Sequence, residues 1–79
     1  KMSSEKTETI YVQLLEEGTD TVRGTQAVRL GDGLFKLLPT HNYDPEDEIW
    51  EFLPGSIVRC ITTTDDKGNG ILLAVEQAR

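Results

Sequence analysis

Apolar and polar residues alternate in short runs along this chain, and no stretch carries apolar residues at helical spacing. From Thr9 to Leu15, Ile10, Val12 and Leu14 alternate with Tyr11 and Gln13, which predicts a half-buried strand ended by Glu16, Glu17 and Gly18. A second run spans Val22 to Leu30, with Val22, Val28 and Leu30 expected to face inward and Arg23, Thr25 and Arg29 outward. Gly31-Asp32-Gly33 then offers residues that tolerate positive φ, so a tight hairpin into Leu34 to Leu38 is expected. Pro39, His41, Asn42, Asp44 and Pro45 oppose both helix and sheet and make the longest break. After it, Ile49 to Leu53 forms a short run with Trp50 and Phe52 on one side, and Pro54-Gly55 suits the centre of a type II turn. Ser56 to Thr63 is rich in β-branched residues and reads as a strand. Asp65 to Gly70 holds the hairpin signal Asn69-Gly70, and Ile71 to Glu76 closes the pattern as a last strand.

Five or six short strands, with turn residues about every eight to twelve positions, predict an all-β domain. Local connections and the advantage of leaving no exposed edge favour a small SH3-like barrel of antiparallel strands; a small β-sandwich is the alternative. Residues 1–8 are polar and aperiodic and are expected to form a disordered tail, with residues 9–79 as one domain. Seventy-nine residues hold one modest core, which excludes separate cofactor and substrate domains and makes a homo-oligomer plausible.

Charge narrows the partners. Eight basic against fourteen acidic side chains give a net charge of −6, the wrong sign for neutralising phosphates, so nucleic acid is not an expected partner. A partner with a basic surface is. The longest unbroken apolar run, Ile71 to Val75, is too short for a membrane span, and Cys60, the single cysteine, has no disulfide partner in the chain. A cytoplasmic location with no membrane association is therefore expected.

Tyr43 to Phe52 places five carboxylates and three aromatics within ten positions, and no Lys or Arg occurs between Lys36 and Arg59. Like charges this dense are splayed into water, balanced by Arg23, Arg29 or Arg59, or balanced by a partner. One reading is a solvated loop anchored by Trp50 and Phe52. The other is a partner-binding loop over residues 42–51 in which Tyr43, Asp44, Glu46, Asp47, Glu48, Trp50 and Glu51 make contact, with Tyr43 or Trp50 partly exposed as an anchor.

Other chemistry finds less support. Asp65, Asn69, Gly70 and Glu76 fall at four positions of a calcium-loop spacing, but Lys67 stands where an oxygen ligand belongs and Ile71 to Val75 is β-prone, so a hairpin turn is expected. His41 and Cys60 are too few for zinc, and Cys60 within an apolar strand reads as a small core hydrophobe. Ser56 or Cys60 with His41 forms no nucleophile motif, and the glycines form no phosphate-binding loop. No metal, cofactor or catalytic residue is assigned.

The segments Tyr11 to Gly18, Leu30-Gly31-Asp32-Gly33-Leu34-Phe35, and Tyr43 to Cys60 with Trp50-Glu51-Phe52 and Pro54-Gly55 resemble a group of short bacterial proteins that carry no known activity. The resemblance covers most of the chain and implies a bacterial source without adding a role. The sequence therefore points to a non-enzymatic protein-interaction module using the acidic-aromatic loop. An inhibitor or immunity-type protein that neutralises a basic, nucleic-acid-binding enzyme is the alternative.

Overall fold

The computed structural model describes residues 7–15, 21–41 and 43–78. They form six strands and no helix: β1 (Thr7–Leu15), β2 (Val22–Gly31), β3 (Leu34–Leu37), β4 (Ile49–Trp50), β5 (Ile57–Thr64) and β6 (Gly70–Gln77). All six belong to one sheet in the order β2-β3-β5-β6-β1-β4, and β2 also pairs with β1. The sheet thus closes on itself as a small all-β barrel with β4 appended outside β1. Five of the six pairings are antiparallel; closure comes from a parallel contact between β1 and β6, at Tyr11 and Leu73.

The core follows the alternation of the strands. Ile10, Val12 and Leu14 of β1 turn inward to meet Ala27 of β2, Phe35 and Leu37 of β3, Trp50 of β4, Val58 and Cys60 of β5 and Ala74 of β6, with Phe52 beside them. These side chains leave the solvent because a β-strand alternates faces residue by residue, so one buried face fixes the register of the whole strand. The strand starts two residues before Thr9, so Thr7 and Glu8 belong to β1; the rest of the expected tail, residues 1–6, lies outside the described residues, as do Glu16, Glu17 and Gly18.

In β2 the inward face is the one expected to face outward, although Arg23 and Arg29 on it are exposed as expected and Val22 and Val28 are half-buried. Thr25 and Ala27 are buried, whereas Leu30 is 50% exposed. Ala27 is paired with Leu37 of the neighbouring strand, so a small residue sits beside a large one on the inner face of the sheet. Thr25 tolerates burial because its hydroxyl donates to the Leu38 carbonyl at 2.6 Å. Arg29 continues the same face to the barrel rim, where its guanidinium lies 4.8 Å from the centre of the Phe35 ring and pairs with Glu8.

Turn chemistry sets the connections. Gly33 has φ +75° between β2 and β3, and Gly55 has φ +92° in a turn closed by the Ser56 amide on the Leu53 carbonyl at 3.1 Å. The β5–β6 turn falls within the expected stretch Asp65 to Gly70 and is longer than the Asp32-Gly33 turn between β2 and β3. It spans Asp65 to Asn69, with Gly68 at φ +86° and the Asp65 amide bonded to the Asn69 carbonyl at 2.9 Å. The Asp65 side chain directs this longer turn by accepting the Lys67 and Asn69 amides, each at 2.9 Å.

The reversed facing of β2 sets an expected pair of outcomes in urea unfolding. Thr25→Ala strands the Leu38 carbonyl and costs about 1–2 kcal/mol. Leu30→Ser changes stability by no more than about 0.5 kcal/mol. A larger loss in the Leu30 variant would show that the strand faces the other way.

Candidate functional site

The loop between β3 and β4 is built around Asp44. Its Oδ1 accepts the Glu46 amide at 2.9 Å, and its backbone carbonyl accepts the amides of Asp47 and Glu48, both at 2.9 Å. Just before it, the Tyr43 amide donates to the Thr40 carbonyl at 3.1 Å. Asp44 therefore acts on its own backbone as an Asx turn, holding residues 44–48 in one compact bend.

The bend brings Glu48 back onto the barrel. Glu48 Oε1 accepts the Trp50 Nε1–H at 3.0 Å, and Oε2 accepts from and pairs with the Arg23 guanidinium of β2. Trp50 is 2% exposed, so its indole N–H would lack water and needs this acceptor. Tyr43 completes the seal: half-buried, it stands edge-on to Trp50 with ring centres 4.8 Å apart and planes at 66°. The indole hydrogen bond first, and then the Arg23 guanidinium, hold the Glu48 carboxyl below its ordinary value of 4.5.

The seven candidate residues therefore divide. Trp50 is a core residue and is not an exposed anchor, because burying its ring removes the largest apolar surface of the segment from water. Glu48 is committed to Trp50 and Arg23, Asp44 shapes the turn, and Tyr43 packs on Trp50. Glu46, Asp47 and Glu51 are exposed and enter none of the salt bridges among the described residues. Arg29 and Arg59 are occupied elsewhere, by Glu8 and Glu76. Asn42 lies outside the described residues.

Beside the clamp lies an open concavity of about 430 Å³ lined by Arg23, Gly24, Thr40, His41 and Glu48. His41 is exposed there and has no hydrogen bond to Ser56 or Cys60. Cys60 is 7% exposed, and burial pushes its thiol up to about 11, which keeps it protonated at neutral pH. Among the described residues, no three His, Cys, Asp or Glu side chains are grouped to hold a metal ion, and no helix is long and apolar enough to cross a membrane. Asp65, the first position of the calcium-like spacing, has its carboxylate taken up by the turn, and the Asn69 amide foremost holds it below its ordinary value.

Sequence reasoning named Arg23, Arg29 and Arg59 as counter-charges without choosing between them; among the described residues Arg23 is the guanidinium that pairs with the acidic loop, and a partner 25 positions away carries no local signal. The same reasoning passed over Ile49 and Leu53, which are exposed between the buried Trp50 and Phe52. Their alternation with those two rings was the available clue. Compared with protein-family models, curated proteins and solved structures, the chain matches none.

Glu48 gives a pH-dependent expectation. Its lowered folded value means that the ionised clamp stabilises the fold fully above the ordinary carboxylate value of 4.5 and is lost as pH falls through the folded value. Glu48→Gln keeps an oxygen for the indole but no charge for Arg23, so the variant is less stable at neutral pH. The gap from wild type closes on acidification, and fluorescence of the single tryptophan, Trp50, follows both unfolding curves. A constant gap down to acid pH would contradict the clamp. Cys60 supplies a second check: an alkylating thiol reagent modifies it only after denaturant unfolds the barrel, and rapid labelling of the native protein would contradict its burial.

Proposed function

We propose that this protein is a non-enzymatic interaction module that offers the acidic loop over residues 42–51 to a protein partner with a basic surface. The observation that supports it is the state of three exposed carboxylates, Glu46 and Asp47 on the bend fixed by Asp44 and the Glu48 clamp and Glu51 just beyond β4, with no cation of the described residues paired to them. A fixed array of like charges raises the association rate of a cationic partner and penalises an anionic one. It also loses less conformational entropy on binding than a flexible acidic tail, because the bend is already formed. Burial of Trp50 moves the binding element from an aromatic hot spot to this charged rim.

The net charge of −6 supports a second reading within the same class of chemistry, an inhibitor that covers the phosphate-binding surface of a basic enzyme. Both readings require the same carboxylates. Glu46→Gln, Asp47→Asn and Glu51→Gln together leave the Asp44 turn and the Glu48 clamp intact. The triple variant is expected to bind a basic protein or lysine-rich peptide on the order of tenfold more weakly at low salt, and the slope of affinity against salt flattens. Isothermal titration at two ionic strengths measures both. Equal affinity and equal slope in the triple variant would refute the proposal.

A further inference from the structure

The chain that leaves the acidic loop forms the end of the sheet. In the strand order β4 lies outside β1, and among the described residues no strand flanks its far side. Along this end, exposed and buried residues alternate: Ile49, Glu51 and Leu53 face solvent, whereas Trp50 and Phe52 between them are buried. Ile49 lies opposite Leu15 of β1, so their side chains share a face. The two are 40% and 43% exposed, and Leu53 at 60% is the most exposed of the large apolar residues described. A single exposed leucine is ordinary; Ile49 and Leu15 side by side at one sheet end, with unpaired Glu51 and then Leu53 exposed further along the same segment, are a surface with a pattern.

We infer that this corner of the sheet docks an extended cationic protein segment whose one face alternates large apolar residues with lysine or arginine. The inference rests on the reading of the loop as a protein-binding element and adds the form of the partner. Residues two apart on a strand stand about 6.6–7 Å from one another, and an extended segment lying alongside repeats that spacing. Its apolar side chains then cover Ile49, Leu15 and Leu53, while its cations meet Glu51 and, at the loop, Glu46 and Asp47. Charge selects the occupant. No Lys or Arg occurs between Lys36 and Arg59, and Arg23, the cation that reaches this region, is held by Glu48, so an anionic or neutral segment would leave these carboxylates unbalanced.

Two synthetic peptides of equal charge test this, one of repeating Leu-Thr-Lys-Thr units and one of repeating Ser-Thr-Lys-Thr units. The intact protein is expected to bind the leucine peptide about tenfold more tightly. Leu15→Thr with Ile49→Thr removes that advantage and leaves the salt-dependent attraction shared by both peptides. Leu53→Ser, outside every strand, reduces the advantage even if the double variant folds poorly. Equal binding of both peptides to the intact protein would overturn the docking surface while leaving the acidic-loop reading in place. Binding of neither would overturn both. Self-association of the intact protein in sedimentation, abolished in the double variant, would make the corner an interface between copies and overturn the inference in favour of that occupant.

Discussion

The carboxylate of Glu48 is the point on which the arrangement of loop and barrel depends. Trp50 contributes the largest side chain of the core, and it can be buried only if its indole N–H finds an acceptor away from water. A carboxylate makes that hydrogen bond strongly, because the acceptor is charged. The charge in turn needs a counterpart, and Arg23 brings it from β2. One contact therefore ties β2, β4 and the intervening loop together, and each component makes the next affordable. Removing the carboxylate charge leaves Arg23 without its partner and the loop with less to hold it down.

The same constraint keeps the charged side chains of the described residues on the outside of the barrel. Among the described residues, eleven buried hydrophobic side chains form the core and no charged side chain is buried with them. Thr25, the buried polar residue described, is satisfied by the Leu38 carbonyl, and no buried side-chain nitrogen or oxygen lacks a partner among the described residues. A barrel this small fills its interior with side chains. An open concavity of about 550 Å³ lies on the surface between β1 and the β5–β6 turn, where Thr9, Tyr11 and Ile71 contribute. Recognition by charge and shape of an outer surface suits such a scaffold, and the fixed bend at Asp44 gives that surface a defined form.

Much of the fold was legible in the sequence where one face of a strand is plainly apolar. Ile10, Val12 and Leu14 alternate with Tyr11 and Gln13, so inward and outward faces declared themselves, and Cys60 within an apolar strand read as the core residue it is. The second strand misled because its outward residues, Val28 and Leu30, are more apolar than Thr25 and Ala27, which turn inward. What decides the matter is tertiary: the fit of Ala27 against Leu37 and the hydroxyl of Thr25 on a carbonyl eleven positions beyond Ala27, neither visible in periodicity. At the candidate site the density of carboxylates was plain, but their separate duties were not. Asp44 shapes a turn, Glu48 satisfies a buried ring, and only Glu46, Asp47 and Glu51 remain turned outward, a division set by three-dimensional partners.

The parallel contact between β1 and β6 has a consequence for how the chain reaches its native state. The first and the last of the described strands meet at Tyr11 and Leu73, so the ring cannot be completed by any shorter stretch of the polypeptide. During synthesis the hairpin of β2 and β3 can form early, but Ile10 and Val12 keep one flank uncovered until β6 has left the ribosome and Leu72 and Ala74 arrive. Closing the largest sequence separation among the described strand pairings is thus the step that completes the ring, and until it closes the open flank of β1 is the surface most in need of protection from other chains.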